Sequence, residues 1–300
     1  METLEALRAR IDTTHDLQSI VRTMKALSAA SIRQYEQAVH SLRQYSEAVR
    51  LGFQIVLRTS PSPKALEDPV GPIGAIVIGS DHGLCGRFNE QIVRFARTTL
   101  AEQNSSTEDV LWLALGLRAG ARLEAEGTRL DGSLPQAATV VKLSATVHSL
   151  LLHIDQWKHT NELGRLYVFH NSRQGTNTAA PRRVQLLPLD ARWLERLAAR
   201  PWESRTLPLF TMEPDALLAA LIRQHLFTTL YRAAAESLAS EHASRLAAMH
   251  AAEKNIEEHL AETTAAFHQL RQETITAELL EIIAGFEASA PSVTGRTRIQ

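Results

Sequence analysis

The sequence predicts an α/β middle domain, Rossmann-like with a mostly parallel sheet, joined to a long antiparallel coiled coil formed by the N- and C-terminal helices. Three observations carry that prediction. Neither proline nor glycine occurs before Gly52, and 70 consecutive residues between Pro214 and Gly285 again lack both. Both segments hold apolar residues at alternating steps of three and four. Between them strand-like and helix-like segments alternate, the order that places helices on the faces of a parallel sheet.

Residues 1–58 read as one helix. Leu17, Val21, Met24 and Ser28, then Tyr35, Val39, Leu42 and Val49, share a stripe that must be buried against a partner. The run SPSPKALEDPVGP, Ser60 to Pro72, is a loop by its prolines. The middle domain is expected over residues 70–210. In it Ile73–Gly79 reads as a buried strand, Phe88–Glu102 as a helix and Val110–Gly116 as a second strand. Ser144–Leu163 reads as a helix, Leu166–His170 as a strand and Arg182–Leu189 as a final extended run. Residues 214–286 form the second long helix, and 287–300 a polar tail. Seventy helical residues would extend about 105 Å at 1.5 Å per residue, more than ordinary globular packing can bury along one face. A coiled coil resolves this, and Leu246, Met249, Glu253, Ile256, Leu260, Thr263, Phe267, Leu270 and Thr274 supply its seam. Residues 15–50 are mostly basic and 241–285 clearly acidic, so the two helices suit each other. A chain that returns on itself makes the pair antiparallel.

Lys plus Arg number 32 against 33 Asp plus Glu, which removes the electrostatic case for nucleic acid as a partner. The one cysteine, Cys85, excludes an internal disulfide and an all-cysteine metal site, and it fits a reducing compartment. No apolar run reaches the roughly 20 residues that span a bilayer, and the start METLEALRAR is too acidic for a signal peptide. The chain is therefore expected to be neither exported nor integral to a membrane.

The run GSDHGLCGRFN, Gly79 to Asn89, lies where a strand gives way to a helix, a place that can hold phosphate. Its glycines are spaced G-x3-G-x2-G, unlike the dinucleotide fingerprint, and the chain has no Gly-Lys-Ser/Thr loop. A tight turn with Asp81 near a cap is the simpler reading. Cys85 and His82, with Asp81 as orienter, would make a nucleophile and base only if their side chains converged. His242, His250, His259 and His268 are eight or nine apart, and His148 and His153 five apart, so solvated helix faces are expected rather than metal ligands. The carboxylates of Glu253 to Glu262 read as an exposed acidic face, and Trp112, Trp157, Trp193 and Trp202 as core or interface. No catalytic, cofactor or metal residue emerges. The alternative reading is an α/β nucleotide- or small-molecule-binding enzyme dimerised through its terminal helices.

Three blocks resemble the gamma subunit of F-type ATP synthases. They are RTMKALSAASIRQYEQA (Arg22 to Ala38), SDHGLCGRFN (Ser80 to Asn89), and ESLASEHASRLAAMHAAEKNI (Glu236 to Ile256) with FHQLRQETITAELLEIIAG (Phe267 to Gly285). The middle block is similar to the family signature DRGLCGGLN, matching it at Asp81, Gly83, Leu84, Cys85, Gly86 and Asn89 and departing at His82, Arg87 and Phe88. The resemblance implies a non-catalytic subunit without cofactor, present in a single copy as the central rotor shaft. Its partners would be the catalytic and non-catalytic ring subunits, an epsilon-type small subunit and the membrane rotor ring. Family position implies that Arg271, Gln272, Thr276 and Glu278 engage the catch loops of the catalytic subunits, with Met24 and Lys25 beside another of their loops. The divergent middle region is compatible with gamma-like subunits of alternative, sodium-translocating (N-type) bacterial complexes. A location on the cytoplasmic face of a bacterial inner membrane follows from the same resemblance.

Overall fold

The computed structural model describes residues 3–59, 71–102, 110–174, 178–202, 206 and 208–289. Helix α1 (Leu4–Thr59) is followed by β1 (Ile73–Ile78), α2 (Phe88–Ala101), β2 (Val110–Leu115), α3 (Leu117–Ala125) and β3 (Leu130–Leu134). Then come α4 (Val140–Thr160), β4 (Arg165–Gln174), β5 (Thr178–Leu187), α5 (Ala191–Ala199) and α6 (Pro214–Ser289). Most of the expected linker (60–70) and most of the expected tail (290–300) lie outside the described residues. The chain divides into two compact units, Lys25–Met249, and Met1–Met24 with His250–Gln300.

In the larger unit the sheet runs β3-β2-β1-β4-β5. β1 pairs in parallel with β2 and β4, β2 pairs in parallel with β3, and β5 runs antiparallel to β4. Strands covered on both faces need apolar residues at every position, which is why IGAIVI and VLWLAL do not alternate. On one face Ile76, Ile78, Leu113, Leu115 and Val168 pack with Leu143, Val147, Leu150 and Ile154 of α4 and with Leu230 and Leu238 of α6. On the other, Ala75, Val77, Trp112, Ala114 and Phe169 meet Ile92, Val93, Ala96 and Leu100 of α2 and Leu123 of α3. A third cluster joins Val49, Phe53 and Leu57 of α1 to Leu194 and Leu197 of α5, with Leu218 and Leu221 of α6 against them. Within this unit Tyr35 stacks on His242 while Phe53 meets His225 edge-on, so α1 and α6 run antiparallel.

Three elements have no counterpart in the sequence reading: α3, β3 and α5. Each is short, and β3 (LDGSL) has only two apolar residues because it is a sheet edge buried on one side. Helix α4 begins and ends a turn earlier than the expected Ser144–Leu163, stopping at Thr160 ahead of Gly164. Trp112 and Trp157 are core residues, each 2% exposed.

The smaller unit is a two-helix seam. On α1 Leu4, Leu7, Ile11, Thr14, Gln18 and Val21 are buried or half-buried; on α6 so are Glu253, Ile256, Leu260, Thr263, Phe267, Leu270 and Thr274. Both sets step by three and four. Of the remaining α6 residues from Ala251 to Gly285, Ala252 and Thr264 alone are not exposed. The α6 register is the one the sequence predicts. On α1 the expected Leu17 is 49% exposed, and the alternation passes through Gln18 instead. Polar Thr14 and Gln18 occupy seam positions, which hides the register from a reading based on apolar residues. Arg22 and Glu253 approach to 3.9 Å across the pair, in line with the opposite charges of the two helices.

Leu7 is 3% exposed and Ile20 54%. Leu7→Ala is expected to lower local stability by about 2 to 4 kcal/mol, and Ile20→Ala by about 0.5 kcal/mol or less. Amide hydrogen exchange across residues 4–24 and 253–274 measures both.

Candidate functional site

The signature turn follows β1 and precedes α2, and its residues hold each other before they hold anything else. The Ser80 amide donates to Asn89 Oδ1 at 2.9 Å, and Asn89 Nδ2 donates to Ser80 Oγ at 2.8 Å. Ser80 Oγ in turn donates to the His82 carbonyl at 2.8 Å. Leu84 (φ +62°) and Gly86 (φ +61°) take left-handed conformations that close the turn. For Leu84 this is a strained state, and its side chain is 61% exposed. Asp81 is a cap, but of a different helix from the adjacent one. Its carboxylate accepts from the Leu117 amide at the start of α3 at 2.9 Å and from the Gln136 amide at 3.0 Å. Gly116 (φ +111°) lets this junction close, since a Cβ there would sit 2.7 Å from the Gly79 carbonyl carbon.

Cys85 is 3% exposed, with Sγ 3.7 Å from Ser80 Oγ and from the His82 carbonyl. Burial pushes its thiol upward, away from the thiolate form. The His82 imidazole is not among its partners, so the nucleophile and base arrangement is not formed.

Helix α6 grips this turn from outside it. Arg245 donates to the Gly83 carbonyl at 3.2 Å and to Glu241 Oε1 at 2.7 Å. The Arg245 and Glu241 side chains are 8% and 6% exposed. Burial raises the Glu241 pKa, an effect opposed by Arg245 and reinforced by Asp81. A turn deeper, Ser237 Oγ reaches the Ile78 carbonyl at 3.4 Å. Next to the pair, His242 lies against Tyr35 at 5.7 Å between ring centroids. Burial first, and then the Arg245 charge, lower the His242 pKa to about 4. Burial also raises Tyr35, with Glu241 adding to it. His242 is therefore a neutral packed residue and not the solvated one expected; His250, His259 and His268 are exposed.

The sequence reading missed Glu241 and Arg245. Their signal was an i,i+4 acid–base pair inside a run of small residues, ASEHASRLAA, where both could lie on a helix face that another backbone approaches. The signature residues Asp81, Gly83, Leu84, Cys85 and Gly86 thus share one turn, Asn89 at the start of α2 bonds back to it, and α6 packs against it through Arg245.

The other residues named from the sequence are on the two long helices. Arg271, Gln272, Thr276 and Glu278 are exposed on α6, with Thr276 Oγ1 turned back to the Gln272 carbonyl at 2.8 Å. Met24 and Lys25 are half-buried on α1. Beyond the α6 seam Ile275, Leu279, Leu280, Ile282 and Ile283 are 46% to 61% exposed, an apolar helix end the sequence reading did not single out. Among the described residues no group of three or more His, Cys, Asp or Glu could hold a metal ion, and no helix is long and apolar enough to cross a membrane.

A family model described as ATP synthase matches residues 3–288. The ATP synthase gamma chain of Granulibacter bethesdensis is 31% identical over 297 residues, covering 96% of this chain and 100% of that one. That of Laribacter hongkongensis is 30% identical, covering 94% and 98%. Among solved structures, a chain of the Euglena gracilis mitochondrial ATP synthase rotor superposes with a TM-score of 0.64 at 17% identity, covering 91% of this chain and 98% of that one. A chain from the central stalk and c-ring of the Tetrahymena thermophila mitochondrial ATP synthase gives 0.53 at 19% identity, covering 78% and 99%.

Arg245→Ala leaves Glu241 buried without its counter-charge and is expected to cost about 3 to 5 kcal/mol in urea denaturation. The unfolded chain protonates His242 near its ordinary pKa while the folded chain resists down to about 4. Stability from this residue is present above about pH 6.5 and is lost as pH falls through that window. His242→Phe is expected to flatten the decline between pH 7.5 and 5 by about 2 kcal/mol relative to the unsubstituted chain, read from urea midpoints at both pH values.

Proposed function

The chain belongs to the ATP synthase gamma-chain family, and on that premise we propose that its paired terminal helices turn inside the ring of catalytic and non-catalytic subunits. It is a non-catalytic subunit of the complex. The nucleotide chemistry belongs to the ring, and this chain couples it to rotation of the membrane rotor ring. The observation that carries the reading is the family match over nearly the whole chain. The apolar end of α6 supports it, since Ile275, Leu279, Leu280, Ile282 and Ile283 are exposed on a helix that has run past its seam. An apolar surface of this kind marks a partner surface.

A shaft works by being stiff and by offering different contacts to each of three equivalent neighbours. The two-helix seam supplies stiffness. Different faces of α6 supply the asymmetry, with Arg271, Gln272, Thr276 and Glu278 turned outward next to the apolar end. In this reading those four residues engage the catalytic subunits in turn as the shaft rotates, and Met24 and Lys25 face another catalytic-subunit loop. One copy serves each complex. The α/β domain stands outside the ring, beside the rotor ring and an epsilon-type small subunit, at the cytoplasmic face of a bacterial inner membrane. The joint between the signature turn and α6 then passes torque between sheet and helix through the Arg245 bond to the Gly83 carbonyl, with Glu241, one turn away on the same helix, holding the guanidinium in place.

Native mass spectrometry of the chain co-expressed with its ring subunits is expected to show one copy with three of each ring subunit, and a free chain beside an intact ring would refute the reading. Arg271→Ala with Gln272→Ala should leave ATP hydrolysis by the assembled complex and lower ATP-driven ion pumping severalfold. Unchanged pumping per ATP would remove those residues from the coupling contacts.

A further inference from the structure

In the larger unit α1, α5 and α6 enclose a cleft of about 400 Å3 whose walls include Arg43, Ser46, Arg50, Trp193, His225 and Arg232. Its three arginines face one glutamate, Glu47. Both oxygens of Glu47 accept from Arg50, one of them at 2.7 Å. Among the described residues no carboxylate pairs with Arg43 or Arg232. Arg232 donates to the Ser46 hydroxyl at 3.4 Å, and its charge also acts on the Glu236 carboxylate one turn along α6. Surface arginines are usually just solvated, but here they converge on a concavity of a size that holds small ligands. Trp193 and His225, 5.1 Å apart between ring centroids, close one end with flat aromatic surface. His225 brings no negative charge, and burial together with the Arg232 cation lowers its pKa. Arg43 also borders a neighbouring cleft lined by Arg173 and Arg182 together with Glu36 and Glu236, where Arg173 pairs with Glu36.

We propose that this cleft binds the phosphate groups of a small polyanion, with Arg43 and Arg232 as the charged donors and the Ser46 hydroxyl between them. Guanidinium forks match phosphate oxygens in pairs, and two forks on facing helices suit a ligand bearing more than one phosphate. Nothing in the shaft role calls for such a site. Inorganic pyrophosphate and a nucleotide share this chemistry. They differ in whether a base lies on Trp193.

Isothermal titration of the full-length chain with pyrophosphate at low ionic strength is expected to give saturable one-to-one binding that weakens as salt is raised. Arg43→Gln with Arg232→Gln should weaken it at least tenfold, and Ser46→Glu, which sets a carboxylate between the arginines, should do the same with an unchanged melting temperature. ATP binding more tightly than pyrophosphate, with the difference lost in Trp193→Phe, would identify a nucleotide. Equal affinities would identify inorganic phosphate chemistry. No saturable binding of either, or equal binding by the unsubstituted chain and both variants, would overturn the proposal.

Discussion

One constraint governs the larger unit: a single helix, α6, must lie on a sheet and on α1 at once. A helix can approach two surfaces that closely only if its side chains are short where they meet. The run from Ala233 to Ser240 meets that need, with Ala233, Ala234, Ala235, Ser237, Ala239 and Ser240 all between 0% and 4% exposed. Small side chains give up hydrophobic area per residue, and Leu226 and Leu230 before the run and Leu238 within it restore that area. The same closeness brings the α6 backbone within reach of the turn that follows β1.

That proximity accounts for the buried charges. Glu241 and Arg245 are an exception to the rule that such residues stay wet, and a buried ion pair contributes little net stability because desolvation offsets its Coulomb energy. Its effect is on uniqueness. The guanidinium reaches the Gly83 carbonyl only when α6 has one rotation and one height against the sheet, while its bond to Glu241 lies within α6 itself. A slip of a single residue would take the Arg245 guanidinium away from the Gly83 carbonyl. Asp81 acts in the same sense within the sheet layer, tying the start of α3 and the Gln136 segment to the turn. The strained Leu84 persists because the turn is held from both sides. For a subunit that must carry torque, a joint with one allowed register matters more than a joint of maximal stability.

The smaller unit follows another logic. Its seam is narrow, with Thr14, Gln18, Glu253, Thr263 and Thr274 among the apolar positions. Polar residues at seam positions lower stability while fixing register. Past Thr274 the helix continues with apolar residues exposed, so the pairing that covers α6 along the seam leaves its end uncovered.

The sequence by itself determined the long helices, the parallel α/β alternation, the α6 register and the family. Each of these is written in local periodicity or in a contiguous motif, so a reader who sees only neighbours along the chain can find it. IGAIVI and VLWLAL were legible because strands buried on both faces need an unbroken apolar run; LDGSL at the sheet edge was not, because its burial comes from one side. The polar seam residues hid the α1 register and turned Leu17 outward. Tertiary structure alone decided what the signature turn is for. Asp81 caps a helix 36 residues further on, and Arg245 holds a carbonyl 162 residues before it. It also made His242 a half-buried residue held neutral and gathered Arg43 and Arg232 around one cleft. These facts depend on which backbones approach each other in space, and no spacing within either segment encodes that.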